Sequence, residues 1–341
     1  MQYNKRERRW NLLMKNYLVV DFGGTLAKYS VMDENGRILL KGEESAPLSS
    51  KESFLHFLEG LYRQHAEEYA LKGMAISMPG VIDEQRAYVH TAGSYLPLYN
   101  MDLGAELKAR IPVPVSIEND GKCGALAEVW KGNLTENADG IVIILGTGVA
   151  GGIIKDRKLH KGKSLSAGEF SYVFLGENTD FTSAAVWRCS MSFLLFETAK
   201  DLGIDVRKLA NYPLVSQVAD CSQTLSTFND LPEYRNGLDG FQFFELLEQG
   251  NEIVQGRYEN FTKSLAKLCW NLQAIYGPEK ILFGGGVTRQ PRLIPDIKAQ
   301  YDKIAAKYAI LMQFPCVIER CRFENEANQY GALYHHLQMM K

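Results

Sequence analysis

Short apolar runs, each stopped by glycine, proline or a polar turn, recur along this chain and predict buried strands rather than surface ones. Tyr17–Asp21 is the first, ending in Phe22-Gly23-Gly24-Thr25, and a strand-like pattern resumes from Leu26 to Met32. Asn35-Gly36 is a strong hairpin-turn signal, so Arg37–Leu40 is read as the next strand. The period then changes. Phe54, Phe57, Leu58, Leu61 and Tyr62 share one helical face, and Ser49 or Ser50 can cap a helix running to about Ala70. Met74–Met78 is a strand stopped by Pro79-Gly80, and Val113–Ile117 is another, ending at Glu118-Asn119-Asp120. The second half opens as the first did: strand Ile141–Leu145, turn Gly146-Thr147-Gly148, strand Gly151–Ile154, and a reversal at Asp156-Arg157. Strand, glycine turn, strand thus occurs twice, about 120 residues apart, as a duplicated α/β lobe would produce. Residues 185–275 are mostly helical in pattern, including Phe241–Gln249 and Ile253–Ala274. The stretch 204–240 has the poorest periodicity and is read as loops. Lys280–Phe283 is expected to be the last core strand, before Gly284-Gly285-Gly286, and Glu326–Gln338 a C-terminal helix.

Composition narrows the function classes. A chain of 341 residues exceeds the ~250–300 at which single cores stop growing, so two domains are expected. The net charge of -2 argues against nucleic acid or an anionic membrane as the main partner, and no apolar run is long enough for a transmembrane helix. Residues 1–13 are basic without an apolar stretch and are read as an extension ahead of Met14, not a secretory signal. The cysteines at 123, 189, 221, 269, 316 and 321 form no Cys-x-x-Cys pair and are read as reduced and buried. Cys316 and Cys321 are expected on or beside one strand. His335-His336 is read as a surface pair, and Phe241, Phe243 and Phe244 as a core stripe.

Four motifs carry candidate chemistry. In Asp21-Phe22-Gly23-Gly24-Thr25, glycines between strands let backbone N–H groups approach phosphate oxygens, and Asp21 is placed to hold Mg²⁺ through water. A plain hairpin would read the same way. Leu145–Ile153 holds Gly146, Gly148, Gly151 and Gly152, more than a structural turn needs, which favours a phosphate cradle. Gly284, Gly285 and Gly286 after a buried strand permit flat contact with a base or ribose; a helix-capping loop is the blander reading. Glu118-Asn119-Asp120 ends a strand with a carboxylate suited to sugar hydroxyls and proton abstraction, and equally with an Asn-Asp pair suited to an Asx turn or helix N-cap.

The order of these motifs, each at a strand end, resembles the ROK family (repressors, open reading frames and kinases) of the sugar kinase, chaperone and actin superfamily. The resemblance runs from about Lys15 to Gly331-Ala332 and includes Ile76–Asp83, similar to the family's Gly-x-Pro-Gly segment, and Ala167-Gly168-Glu169-Phe170, similar to its Gly-Glu segment. It implies an α/β fold of two actin-like (ribonuclease H-like) lobes with an inter-lobe active-site cleft. The implied domains are 14–119, 120–325 with helical insertions, and 326–341 as a helix packing back on the first lobe. The implied reaction is ATP-dependent phosphorylation of a sugar hydroxyl with Mg²⁺. Asp21, Gly23, Gly24, Thr25, Gly146, Thr147 and Gly148 would grip the ATP phosphates, Gly284, Gly285 and Gly286 flank the adenosine, and Asn119, Asp120 and Glu169 hold the sugar, with Asp120 as base. The family's zinc-ligand histidine is replaced by Tyr172. Its cysteine-rich loop is replaced by residues 176–190, which hold only Cys189, and Trp187 stands where a second sugar-binding glutamate is expected. No zinc is therefore expected. Tyr172 and Trp187 are candidate contacts to a glycoside or disaccharide such as a β-glucoside, or packing in place of the zinc loop. A homodimer in the cytoplasm is expected. The alternatives are an N-acetylmannosamine or glucose kinase, a sugar-binding regulatory protein without kinase activity, and a repressor. The repressor reading meets too few residues before Tyr17 for a DNA-binding unit.

Overall fold

The computed structural model describes residues 14–204, 238–310 and 312–341. The expected extension at 1–13, Cys221 and nearly all of the expected loop stretch at 204–240 lie outside the described residues. By its contacts the chain divides into two compact units. The first takes residues up to Thr135, then Lys158–Ser166 and Asn325–Lys341; the second takes Glu136–Arg157 and Ala167–Glu324.

The first unit opens with β1 (Asn16–Phe22), β2 (Leu26–Asp33) and β3 (Ile38–Ser45), an antiparallel meander. Helix α1 (Lys51–Tyr69) follows, with Ser50 as N-cap accepting from the Ser53 N–H. Strands β4 (Gly73–Met78), β5 (Ile82–Asp83), β6 (Tyr88–Val89) and β7 (Met101–Asp102) lead through α2 (Leu103–Lys108) to β8 (Val115–Asn119). The main sheet has the order β3-β2-β1-β4-β8, with β1, β4 and β8 parallel. Strand β8 begins at Val115, not Val113, because Pro114 has no N–H to donate to the ladder.

The continuous apolar run of β1 is explained by cover on both faces. Leu18, Val20 and Phe22 pack with Phe54, Leu55 and Leu58 of α1. Tyr17 and Val19 point the other way, onto Cys123, Ala332 and Leu333. These belong to α3 (Asp120–Lys131) and the C-terminal helix, α9 below. Residues 121–129 of α3 are all buried. This is why the first unit runs past the boundary expected at 119/120: the helix after Asn119 covers the first sheet. A Cβ at Gly331 would stand 1.7 Å from the Cys123 carbonyl oxygen, so these two helices touch backbone to backbone.

The second unit holds β9 (Gly140–Leu145) and β10 (Val149–Lys155); the short β11 (Lys158–His160) falls in the first unit's share of the chain. Then come α4 (Ala185–Cys189), α5 (Met191–Asp201), α6 (Gly240–Glu248), α7 (Glu252–Tyr276), β12 (Lys280–Gly284), α8 (Leu293–Lys307) and β13 (Val317–Arg320). The closing helix, in the first unit, is α9 (Ala327–Met339). Strand β10 runs antiparallel to β9, β12 parallel to β9, and β13 parallel to β12. The expected repeat is present: in each unit the first two strands flank a three-residue turn, 23–25 and 146–148, and a parallel strand pairs with the other edge of the first.

Three expectations are corrected, and the reading of the described cysteines is borne out. Lys280–Phe283 is not the last core strand, because β13, too short and mixed to show a period, pairs with it. Cys316 and Cys321 flank that strand, and the described cysteines are free and buried. His335 and His336 are buried, since α9 has apolar and polar residues packed on several sides. Phe243 and Phe244 are core, but Phe241 is 85% exposed in the first turn of α6.

Candidate active site

In the first unit, the Gly23 N–H donates to the Leu26 carbonyl at 3.0 Å and closes the turn between β1 and β2. The Tyr95 hydroxyl donates to the Gly23 carbonyl at 2.6 Å, and Thr25 accepts from the Ala46 N–H. Gly24 and Thr25 are exposed. Asp21 lies within β1 beside this turn. Its Oδ1 accepts from the Ser77 hydroxyl at 2.8 Å and from the Asn328 amide at 3.1 Å. Burial pushes the Asp21 carboxyl up, against those two hydrogen bonds and the charge of Lys28. A carboxylate so disfavoured by desolvation suits a hydrated divalent cation.

The second feature of this unit is the junction of β8 and α3. Asn119 is the N-cap of α3: its Oδ1 accepts from the Lys122 N–H at 3.1 Å, and its Nδ2 donates to the Gly80 carbonyl at 2.9 Å. The N-cap reading of the Asn-Asp pair therefore holds, and it places Asp120 at the first helical position, half-buried. Its Oδ1 accepts from the Gly121 N–H at 2.8 Å. Behind it, Glu118 is fully buried and receives the Lys161 ammonium at 3.0 and 3.1 Å. Lys161 also donates to the Ile82 carbonyl at 2.9 Å and pairs with Glu84. Burial pushes the Glu118 carboxyl up, and Lys161 and the Asn119 N–H work against that shift. Nothing in the sequence pointed to Lys161 or Glu84, which lie 43 and 34 positions from Glu118 in unremarkable polar stretches.

The second unit brings together three expected segments. The Gly146 N–H donates to the Gly148 carbonyl and the Met191 N–H to the Gly146 carbonyl, both at 3.1 Å. The Ser171 hydroxyl bonds both backbone groups of Val149, so the Glu169–Tyr172 segment is tied to the end of the turn. Gly285, at φ 96°, lies so close to the end of β9 that a Cβ would stand 2.1 Å from the Leu145 carbonyl oxygen. The glycine run after β12 is thus held against the start of the 146–148 turn. By contrast, a Cβ at Gly146 or Gly286 would meet nothing within 4 Å. Packing demands Gly285, whereas Gly146 and Gly286 leave open space that a ligand can use. Gly146→Ala should fold with a melting temperature within a few degrees of the parent yet raise the KM for ATP several-fold. Gly285→Ala should lose stability by ~1–3 kcal/mol, the usual cost of a strained backbone position. Melting curves and ATP titrations read both.

Glu169 is half-buried ahead of the short turn Phe170–Tyr172. Tyr172 is 50% exposed. Trp187, on α4, stacks on Phe193 at 4.2 Å between ring centroids and meets Phe181 edge-on at 5.8 Å. The packing reading therefore describes most of what Trp187 does, while Tyr172 presents a ring to solvent. Among the described residues, no group of three or more histidine, cysteine, aspartate or glutamate side chains could hold a metal ion.

Known proteins share this architecture. The β-glucoside kinase of Listeria monocytogenes is 28% identical over 93% of this chain and 96% of its own length. An N-acetyl-D-glucosamine kinase of Salmonella paratyphi B is 25% identical over 94% and 99%. Among solved structures, a ROK family protein of Streptococcus pneumoniae in complex with sucrose superposes with a TM-score of 0.79 at 23% identity, over 95% of this chain and 99% of that one. A ROK family glucokinase of Streptomyces griseus in complex with glucose and AMPPNP does so at 0.67 and 22%, over 93% and 98%. The duplicated strand–turn–strand units and these matches define an ATP-dependent carbohydrate kinase of actin-like fold. The ROK family model matches residues 17–190 and 217–338, and the chain belongs to that family.

Proposed function

We propose that this kinase transfers the γ-phosphoryl group of ATP to a hydroxyl of a β-glucoside or related disaccharide, with Asp120 as general base. The observation that carries the proposal is the β8–α3 junction, where Asn119, Gly80 and Glu118 hold the strand end and Asp120 follows at the first helical position. Phosphoryl transfer depends on positioning and charge stabilisation, and a base held at a rigid junction suits it. Asp120 would take the hydroxyl proton as the oxygen attacks phosphorus. Asn119 has amide hydrogen-bonding capacity beyond its two observed bonds, and Glu169 can accept from sugar hydroxyls. The turns 23–25 and 146–148 would hold the phosphates, and Gly284–Gly286 the adenosine. Asp21 fits Mg²⁺ through water, which when bound supplies neutralising charge at the phosphate oxygens.

The β-glucoside reading is supported by Tyr172, whose half-exposed ring can pack on the C–H face of a second group. β-Glucoside kinases of Listeria and Klebsiella, 28% and 26% identical, support it as well. The net charge of -2 supports a partner set without nucleic acid. Among the described residues no helix is long and apolar enough to cross a membrane.

Coupled ATP turnover on a side-by-side panel tests the substrate. A β-glucoside such as cellobiose should show higher kcat/KM than glucose, N-acetylglucosamine or N-acetylmannosamine. Tyr172→Ala should narrow that gap several-fold with little loss of stability. A clear preference for a free hexose or N-acetylhexosamine in the parent enzyme would show that the aromatic side chains only pack. Trp187→Ala is a poorer probe, because removing it from its stack costs ~3–5 kcal/mol of core packing.

A further inference from the structure

A buried ammonium beside the strand that leads to the base calls for a reason beyond stability. Exchanging a buried ion pair for apolar residues of like volume is often neutral or stabilising, so what the charges orient is the better guide to their use. Lys161 is 8% exposed and Glu118 is fully buried. An ammonium has three donors, and here they meet the Ile82 carbonyl, the Glu84 carboxylate and both oxygens of Glu118. Glu118 Oε1 in turn accepts from the Asn119 N–H at 2.7 Å. The Asn119 side chain then joins the Gly80 carbonyl to the Lys122 N–H. A line of charge-assisted hydrogen bonds therefore runs from Lys161 through Glu118 to the cap of α3, and Asp120 is the next residue. Every member lies in the first unit.

We propose that Lys161 is a positioning residue for the reaction. Its ammonium locks the Glu118 carboxylate that orients the Asn119 backbone, and so sets where Asp120 stands. It also cancels the negative charge of Glu118 next to that base. The inference rests on the assignment of Asp120 as general base. Two carboxylates in sequence at one buried strand end would oppose each other's ionisation if nothing balanced them. Among the described residues, Glu84, His335 on α9, Cys123 on α3 and Asp21 on β1 are titratable groups that face this cluster. Glu84 is the more exposed acid of the pair that Lys161 serves.

The test compares Lys161→Met with the parent enzyme and with Asp120→Asn, using the best sugar of the panel. Lys161→Met should lower kcat by ~10–100-fold, the effect of a small misplacement of a reacting group. The KM for ATP should stay within about twofold, because the nucleotide turns are untouched. The loss should fall on kcat, because a buried Glu118 stripped of its ammonium takes up a proton and no longer holds the Asn119 N–H as a locked carboxylate. A folded Lys161→Met enzyme with parental kcat overturns the proposal. A lowered kcat with a comparable rise in the KM for ATP also overturns it, by reducing Lys161 to general packing. If Lys161→Met fails to fold, Lys161→Met/Glu118→Gln decides, since it removes both charges and keeps an acceptor for the Asn119 N–H. That double variant should keep the parental KM for ATP with kcat still down about tenfold, as positioning is lost without the anchor; parental kcat there overturns the proposal. Parental kcat in Asp120→Asn would remove the base itself. That result is read from a variant with Lys161 intact, so the two failures are distinguishable.

Discussion

Asp120→Asn is expected to bind ATP and sugar, fold normally and lose ~10²-fold or more in kcat. A placed base contributes ~10²–10⁴-fold, and the amide cannot take the proton. The fold should tolerate the change because the cap of α3 is Asn119, not Asp120. The substituted amide oxygen can still accept from the Gly121 N–H that Asp120 now engages. Losing one negative charge in the first turn of a helix costs a few tenths to ~1 kcal/mol. Steady-state kinetics with a melting curve on the same sample separate the two effects. A folded variant with near-parental kcat would falsify the assignment.

The second large effect is on stability in mild acid. His335 and His336 lie on the buried side of α9, and burial pushes both imidazoles down from 6.5 to about 4. For His335 the charge of Lys161 adds to the depression and Glu84 opposes it. Both rings leave Nε2 without a hydrogen-bond partner, while Nδ1 of His336 bonds the Ser116 hydroxyl at 2.9 Å. The folded protein therefore keeps both rings neutral where the unfolded chain already binds protons. Their contribution is fully present above pH 6.5 and is lost as pH falls from 6.5 toward 4. At ~1.4 kcal/mol per pH unit for each ring, the pair can remove a few kcal/mol, a large share of a typical domain's stability. Glu279, held low first by the Asp139 N–H and then by Asn137 and the Ala138 N–H, loses its contribution only further into acid. Denaturant melts at pH 7.5, 6, 5 and 4.5 should show the fall. His336→Gln should be less stable at pH 7.5 but show a shallower slope. Equal slopes in the two proteins would show that the rings do not carry the effect.

Much of the architecture was legible because its signals are local. β1 declares itself by unbroken apolar residues, a demand made by cover on both faces of the sheet. Helix α1 declares itself by its period and by Ser50. The turns 23–25 and 146–148 show their glycines openly, and their repetition carries the duplication. Other features escaped because the chain's own neighbourhood does not encode them. β13 is four residues of mixed character, and only its pairing with β12 makes it a strand. The burial of His335-His336 depends on what packs against α9, which a polar pair does not announce. In sequence, a turn accounts for one or two of the glycines at 146–152 and the excess favours a phosphate cradle. The structure divides it, since Gly151 would place a Cβ 1.9 Å from the Val142 carbonyl oxygen and is demanded by packing, whereas Gly146 is not.

The sequence by itself determined the two-unit α/β plan, the order of its glycine turns and a carboxylate at the end of β8, since each depends on residue type and period along a short window. Only the tertiary structure decided which groups act on that carboxylate. Lys161 reaches the strand end at Glu118, beside Asn119, and pairs with Glu84, which joins three separate stretches of chain. A buried charge selects its partners by distance in space, to which spacing along the chain is no guide.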